Sequence, residues 1–286
     1  MFSRLYNEAV IEFDMHTESP LFIKSGLDDQ LNPAAVEHTF FVTYKNGEPV
    51  PAIPGSSLKG VFRSTAEQLL KEHGVCNILS KVDSCSYRIR QEERNKEERN
   101  KSENQDNYGQ MSLGEIRYKK SCPVCKLFGS QVLKSRITFN DACPVGEYKT
   151  GKRAAVAIDR ITGASRSGAL YDFEYIENAV FKCRIQLRNF FRWQVKLIFE
   201  IFNRIDDGYT TFGGFSSKGF GRMRIENVSM TVRYYDKGKK AEGYSDKELY
   251  IEKNITGREA ISELLKDIKF DEAAFKGCDL KHDKAL

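Results

Sequence analysis

Two kinds of hydrophobic periodicity alternate along this sequence, and their order restricts the fold more than any other feature. Apolar and polar residues alternate in four short segments, as in half-buried strands, and apolar residues recur at helical spacing in two longer segments. The strand patterns lie at about 11–15, 136–141, 179–187 and 223–228, and the helical patterns at about 57–72 and 192–204. The predicted order is therefore strand, helix, two strands, helix, strand.

This order is that of a ferredoxin-like unit, which is also the core of RNA-recognition folds. With 286 residues, of which 40% are apolar, the chain is long enough to bury such a core and to carry insertions. We therefore predict an α+β fold with a ferredoxin-like, RRM-like core. We expect residues 236–286 to form a peripheral extension with a helix at EAISELLKDIKF.

The overall charge is only mildly basic, because 45 Lys and Arg against 40 Asp and Glu give a formal net charge of +5. A nucleic-acid surface would therefore depend on local clusters of basic residues and not on bulk charge. The sequence contains no apolar run long enough for a signal peptide or a membrane span. We expect a cytoplasmic protein without membrane association.

The stretch PAIPGSSLKGVFR, residues 51–63, has the features of a helix N-terminus that faces an anion. Ser56 or Ser57 can accept a backbone N–H as the N-cap, and the free N–H groups and positive dipole end attract negative charge. Lys59 and Arg63 follow one turn apart on the less apolar side. The spacing is not that of a Walker A loop, so a triphosphate is not indicated. An ordinary capped amphipathic helix would show the same pattern.

Seven cysteines, an odd number, indicate metal ligands or buried thiols more than disulfides in a chain expected to be cytoplasmic. Cys122 and Cys125 in CPVC have the spacing of a zinc knuckle, and Cys76 and Cys85 can supply the second pair. Four thiolates would close a structural zinc site, and His73 is the substitute if one cysteine faces away. The other cysteines, Cys143, Cys183 and Cys278, are interpreted as structural thiols.

Residues 86–120, between the cysteine pairs, contain the tandem EERNKEERNK, in which opposite charges nearly cancel and apolar residues are few. This composition predicts a solvated helix fragment or a flexible insertion. We assign it no chemistry.

A zinc deaminase is an alternative interpretation of the CPVC motif, because such enzymes combine H-x-E with P-C-x-x-C. In this chain His16 and Glu18 fall on the polar side of a predicted strand, and Ser121, not proline, precedes Cys122. We therefore do not expect a deaminase.

Four motifs in one order carry a family resemblance: IPGSSLKGVFR, CPVCKLFGS followed by SRITFNDA, AIDRITGASRSGALYDFEYI, and GGFSSKGFGRMRIEN. Together they resemble the RAMP superfamily of CRISPR effector proteins, most closely the backbone subunit that lines the guide RNA in type III complexes. The resemblance covers most of residues 5–235 and leaves out residues 86–120.

The resemblance implies that the anion is the phosphate backbone of a guide RNA. Ser56, Ser57, Lys59 and Arg63 would hold phosphates without reading bases. In a second cradle, Lys218 and Arg222 would act with the glycines around them, although a plain turn before an edge strand would fit the same sequence. Residues 158–170 look like the family's thumb, a hairpin that wedges between guide and target. Its Arg160 and Arg166 could contact backbone or bases, whereas an ordinary exposed basic loop is the alternative.

Members of this family can cut target RNA with an aspartate between the first strand and the first helix, a divalent metal, and the substrate's own 2′-hydroxyl. Asp28 and Asp29 lie in the corresponding loop. The family pattern places its aspartate directly before a small polar residue and proline, where this sequence has Leu31. Either the acidic role lies upstream, at Asp28 or Asp29 with Mg²⁺ or Mn²⁺, or the subunit binds without cutting. Glu37 and His38 are fallback candidates, and Asp141 and Asp159 are expected to cap turns and fix loops.

The sequence thus predicts one RAMP domain over 1–235, with a zinc-knuckle insertion at 73–126, of which 86–120 is expected to be flexible, and a thumb-like insertion at 146–178. The expected partners are a CRISPR guide RNA, single-stranded target RNA, other effector subunits and copies of itself. The expected function is guide-RNA binding with metal-dependent endoribonuclease activity. A non-cleaving scaffold subunit is the alternative, and an unrelated zinc enzyme or nucleotide-binding protein is the remote one.

Overall fold

The computed structural model describes residues 4–24, 40–103, 112–239, 242–277, 279–280 and 283–286, and leaves out the side chains of 96–103 and 166–171. The strands are β1 (Asn7–Thr17), β2 (Val42–Lys45), β3 (Glu48–Pro51), β4 (Ile137–Phe139), β5 (Cys143–Pro144), β6 (Lys149–Ile158), β7 (Ser165–Asn178), β8 (Val180–Arg188), β9 (Met223–Tyr234), β10 (Ser245–Asp246) and β11 (Ile251–Thr256). The helices are α1 (Gly55–Leu69), α2 (Cys85–Glu103), α3 (Leu113–Lys120), α4 (Pro123–Phe128), α5 (Arg192–Asp206), α6 (Arg258–Leu265) and α7 (Glu272–Lys276).

A seven-stranded antiparallel sheet forms the centre of the molecule. Its order is β10-β11-β9-β1-β8-β4, and β5 pairs with β8 beside β4. Four neighbouring strands of this sheet, β9, β1, β8 and β4, occur along the chain with helices α1 and α5 in the order β1, α1, β4, β8, α5, β9. The predicted mixed architecture of strands and helices is confirmed.

The main core lies between this sheet and helices α1 and α5. Ile11, Phe13 and Met15 on β1 are fully buried, because the alternation of apolar residues points them to one side of the sheet. Phe202 on α5 packs on Phe13 with ring centroids 4.7 Å apart and on Phe62 of α1 at 6.0 Å. Burial of each such side chain stabilises the fold by about 1.5–3 kcal/mol.

Residues 146–168 are rich in Gly, Arg, Lys and Ser, a composition typical of loops, yet most of them lie in strands. They contain β6, which pairs with β7 in a separate two-stranded antiparallel hairpin. At the turn of the hairpin, Asp159 Oδ1 accepts hydrogen bonds from the backbone N–H groups of Ile161 and Thr162, each at 2.9 Å. Asp159 thus fixes a loop, as expected, and these two hydrogen bonds lower the pKa of its carboxyl group.

The region between the cysteine pairs forms two helices, α2 and α3, separated by 104–111, which lie outside the described residues. An ion pair joins Glu93 of α2 to Arg117 of α3 at 2.8 Å, and Glu92 pairs with Lys120. The acidic face of α2 is therefore turned toward the basic face of α3.

The segment after residue 235 joins the sheet. Strand β11 pairs with β9, and α6 packs against α5 and β9. The predicted helix at 259–270 corresponds to α6. Within the described ranges, no helix is both long enough and apolar enough to cross a membrane.

Candidate metal centre and nucleic-acid interface

Four cysteines from separate parts of the chain meet in one buried cluster: Cys76, Cys85, Cys122 and Cys125. Their Sγ atoms all lie within 4.8 Å of one another, and the Sγ of Cys76 is 3.6 Å from that of Cys125 and 3.7 Å from that of Cys122. A disulfide would require about 2.05 Å. A tetrahedral zinc ion with Zn–S bonds of about 2.3 Å separates its sulfurs by about 3.8 Å. The cluster therefore has the spacing of four ligands around one metal ion.

Local structure brings the two CPVC cysteines together. Cys122 is the N-cap of α4, and its Sγ accepts the backbone N–H of Cys125 at 3.5 Å. The backbone N–H of Cys122 in turn donates to Sγ of Cys85, the first residue of α2, at 3.2 Å. Hydrogen bonds from the neighbouring thiols, first that of Cys125, lower the pKa of the Cys122 thiol. Because all four donors are cysteines and all are buried, the set could hold a metal such as zinc in a closed, structural site.

Arg63 of α1 contacts this cluster. Its Nη2 donates to Sγ of Cys125 at 3.3 Å, its Nη1 to the carbonyl of Gly129 at 2.9 Å, and its Nε to Glu67 Oε1 at 2.9 Å. The side chain is only 15% exposed. Burial opposes the charged form, but the hydrogen bonds to Glu67 and Cys125 raise the pKa of Arg63 overall. Each guanidinium nitrogen thus has a partner within the protein, on the side of α1 that faces the cysteines.

The N-terminus of α1 is capped differently from the prediction. Neither Ser56 nor Ser57 caps the helix, whose N-cap is Pro54 with no side-chain hydrogen bond. The backbone N–H of Gly55 instead donates to Oδ1 of Asp141 at 2.7 Å. The prediction of a serine cap was wrong because the acceptor comes from a residue distant in sequence, and Asp141 has the capping role expected of it. A negative charge already occupies part of this helix end.

Close packing at the start of α1 explains why residue 55 is glycine, and the next turn of the helix carries Lys59. A Cβ at Gly55 would lie 2.5 Å from the carbonyl oxygen of Phe139, so only glycine lets α1 approach β4 this closely. Lys59 donates through Nζ to Oγ of Ser135 at 3.2 Å. Burial and the nearby Arg63 charge lower the pKa of Lys59. Ser56 is exposed and Ser57 half-buried at the same helix end.

An aromatic cluster joins three segments that are far apart in sequence. It consists of Phe22 after β1, Phe173 and Tyr175 on β7, and Phe215 and Phe220 in the glycine-rich loop, residues 213–221. The ring centroid of Phe22 is 5.0 Å from that of Phe215 and 5.5 Å from that of Phe173. The loop is therefore packed against the base of the hairpin.

Backbone hydrogen bonds fix the glycine-rich loop to the segment after β1. The N–H of Gly214 donates to the carbonyl of Phe22 at 2.8 Å, and the N–H of Gly221 donates to the carbonyl of Pro20 at 2.8 Å. A Cβ at Gly213 would lie 2.1 Å from the carbonyl oxygen of Phe22. The loop thus depends on glycine for close contact between two backbones.

Two basic side chains lie against rings of this aromatic cluster, and two more pair with Glu18, which follows β1. Lys218 Nζ lies 4.8 Å from the ring centroid of Phe215, and Arg153 lies 5.0 Å from that of Tyr175. Arg222 and Arg224 both approach Glu18, at 3.6 and 2.6 Å. Sequence reasoning found Lys218 and Arg222 but missed Arg153 and Arg224. The only sequence signal for Arg153 was its place in the basic stretch 149–153, which the structure shows to be part of β6.

The remaining predicted residues are spread over the chain. Arg160 is exposed at the turn of the hairpin, and Arg166 lies in β7 with a side chain outside the described set. Asp28 and Asp29, and the fallback candidates Glu37 and His38, fall in 25–39, also outside the described residues.

Neither histidine considered as a metal ligand belongs to the cysteine group. His73 packs against the ring of Phe275, with centroids 5.0 Å apart, and His16 on β1 lies 3.3 Å from Glu226. Cys183 is buried on β8, where burial raises the pKa of its thiol, and Cys143 is half-buried. Cys278 lies outside the described residues.

A comparison with family models agrees with the order of motifs along the chain. The model of the RAMP superfamily matches residues 14–224, well over half of the 286 residues, and this span contains the cysteine cluster, the hairpin and the glycine-rich loop. No curated protein gives a significant match to the sequence. The chain belongs to the RAMP superfamily of CRISPR-associated proteins.

Proposed function

We propose that this chain is a guide-RNA-binding backbone subunit of a type III CRISPR effector complex, built on a ferredoxin-like, RRM-like core of β1, α1, β4, β8, α5 and β9. One observation carries the proposal. The glycine-rich loop, the base of the β6–β7 hairpin and the segment after β1 meet at one aromatic cluster, against which Arg153 and Lys218 pack. These are the segments for which the family resemblance implies contact with guide and target.

The proposed RNA surface has two parts. At α1, Ser56, Ser57 and Lys59 would contact phosphates, and at the aromatic cluster Lys218 and Arg222 would do so. Arg160 and Arg166 would extend the contacts along the hairpin, which we propose to be the thumb. Arg63 was part of the expected phosphate site; we propose instead that it supports the cysteine cluster, because its partners are Glu67, Gly129 and Cys125.

We propose that the cysteine cluster holds one structural zinc ion. Its four sulfurs leave no ligand position open for substrate, which argues against a zinc enzyme. Cys76 precedes α2 and Cys85 is its first residue, whereas Cys122 is the N-cap of α4 and Cys125 lies within α4. The metal would therefore join the two ends of the α2–α3 insertion, next to α1, whose Arg63 contacts Cys125. The partners would be other effector subunits and copies of this chain, in the cytoplasm.

Cleavage of target RNA is the second part of the proposal. Asp28 or Asp29 would hold a Mg²⁺ or Mn²⁺ ion, or orient the attacking 2′-hydroxyl, beside the scissile phosphate. The described chain reaches Lys24 next to the aromatic cluster, so the loop that carries both aspartates begins at the proposed RNA surface. A scaffold that binds without cutting is the alternative.

Labelled target RNA incubated with the guide-loaded assembly in Mg²⁺ tests both parts. Wild type is compared with Asp28→Ala and Asp29→Ala, and with Asp267→Ala, an exposed aspartate outside the family match, as the control. We expect regularly spaced cuts that one of the first two variants abolishes while target binding is retained. A wild type that binds target without cutting it would make the chain a scaffold, and a wild type that binds no RNA would refute the function as a whole.

A further inference from the structure

A groove of about 530 Å³ lies between the loop after Cys76 and the first turns of α2. Residues 78–81 line one side and residues from the start of α2 the other, and Gln131 also belongs to the lining. Neither the helix-capping surface of α1 nor the aromatic cluster contributes to its lining. We call it the α2 groove.

Every charged side chain that lines the α2 groove is basic: Lys81, Arg90 and Arg94. Among the described side chains, none forms an ion pair with any of the three. The two acidic residues of α2 whose side chains the structure describes, Glu92 and Glu93, pair with α3 and do not line the groove. This division leaves a basic stripe with no internal counterion in the described part of the chain.

The nearest acidic residue of the loop is also engaged elsewhere. Asp83 is not part of the groove lining, and its Oδ2 accepts the backbone N–H of Asn77 at 3.3 Å. All the described charges that line the groove are therefore positive, which complements a polyanion.

An aromatic residue lies within the same stripe. Tyr87 is 40% exposed and precedes Arg90 and Arg94 by one and two helical turns, so the three share one face of α2. Leu79, 90% exposed, stands on the opposite wall. An exposed ring between cations is the arrangement on which a base stacks while its phosphates are neutralised.

We propose that the α2 groove binds single-stranded RNA. It would be a further RNA contact, on the α2–α3 insertion that the proposed zinc ion would hold. The proposal rests on the RNA-binding function proposed above and adds a surface to it. RNA fits better than an acidic protein segment because the groove combines cations with an exposed aromatic face and the side-chain amides of Gln91 and Gln131, which can hydrogen-bond to base edges.

The test measures binding of labelled oligouridylate to the full chain, freed of bound nucleic acid, as a function of salt concentration. The groove variant is Lys81→Gln, Arg90→Gln, Arg94→Gln. The matched control, Lys247→Gln, Lys269→Gln, Lys284→Gln, makes the same charge change at exposed sites outside the family match. Zinc content reports whether each variant keeps the fold around the cysteines.

Each phosphate contact contributes about 0.7 to the salt slope of single-strand binding, so the groove variant should lower that slope by about 2, and the control should leave it unchanged. Tyr87→Leu should weaken binding about tenfold at an unchanged slope, because stacking is not ionic.

The outcomes separate this proposal from the function on which it rests. A groove variant with the wild-type slope, alongside a Lys218→Gln, Arg222→Gln variant with a lower one, overturns the α2 groove and leaves the main surface standing. A wild type that binds no RNA overturns both. If the groove variant binds RNA normally and loses binding to polyglutamate, the groove takes an acidic protein segment and the RNA proposal is wrong.

Discussion

Gly221 and Gly219 allow a matched test of how the glycine-rich loop is held. Both have a left-handed backbone, with φ of +81° and +86°. A Cβ at Gly221 would lie 2.0 Å from the carbonyl oxygen of Phe212, whereas one at Gly219 would meet nothing within 4 Å. Alanine at either position therefore has the same backbone strain, and only at Gly221 does it add a collision with backbone.

The expected costs follow from this difference. The left-handed conformation costs an alanine about 1–2 kcal/mol, which is the whole expected loss for Gly219→Ala. Overpacking adds about 1–3 kcal/mol at Gly221. The loop cannot shift to relieve this collision without losing hydrogen bonds, because the N–H of Gly221 donates to the carbonyl of Pro20 and its carbonyl accepts from the N–H of Phe212 at 2.9 Å. We expect Gly221→Ala to reduce the free energy of unfolding by about 2–5 kcal/mol, a large share of the stability of an ordinary domain.

Urea unfolding of the two variants measures the difference, with the slope of free energy against urea checked to be unchanged. Salt-dependent RNA binding is measured in parallel, since a displaced loop would also displace Lys218. Equal losses of stability in the two variants would refute the reasoning, because the close contact between the loop and Phe212 would then have no energetic consequence.

Three further predictions concern the metal centre and the capping of α1. Cys122→Ser should lose the bound zinc measured by elemental analysis of the purified chain, whereas Cys183→Ser, which changes an isolated buried thiol, should keep it. Arg63→Gln should weaken zinc retention about 10-fold or more in competition with a chelator, because it removes a hydrogen bond to a ligand sulfur; retention equal to wild type would contradict this. Asp141→Ala should lower the free energy of unfolding by about 0.5–2 kcal/mol, and Asp141→Asn, which keeps an acceptor oxygen, should lower it less.

The sequence predicted the parts of the molecule that have a periodic or spaced signal. The alternation in β1 and the apolar stripe of α5 are visible because one face of each element is buried. Periodicity gave no signal for the hairpin, which was expected only from the family resemblance. Every residue of β6 is exposed or half-buried, so its two faces differ little and leave no alternation to detect.

Apart from the cysteine cluster, contacts between distant residues could not be predicted from the sequence. The CPVC spacing predicted two metal ligands directly, and the four-cysteine cluster was found because only a few other cysteines could complete it. Nothing in the spacing indicated that Arg63 would face Cys125 or that Asp141 would cap α1, since these partners lie 62 and 86 residues away. Such roles depend on how α1 packs against β4 and α4.

For Lys59 and Arg63, the structure therefore leads to a different prediction from the one that the sequence suggests. As neighbours one turn apart on α1, both were expected to bind phosphates, and removal of both should then lower the salt slope of RNA binding by about twice the single value of 0.7. In the structure Arg63 is committed to Glu67, Gly129 and Cys125, whereas Lys59 has one neutral partner, Ser135. We expect Lys59→Ala to lower the slope by about 0.7 and the further change Arg63→Ala to lower zinc retention without lowering the slope again. A double variant whose slope falls by about 1.4 would show that Arg63 leaves the cysteine cluster to bind RNA.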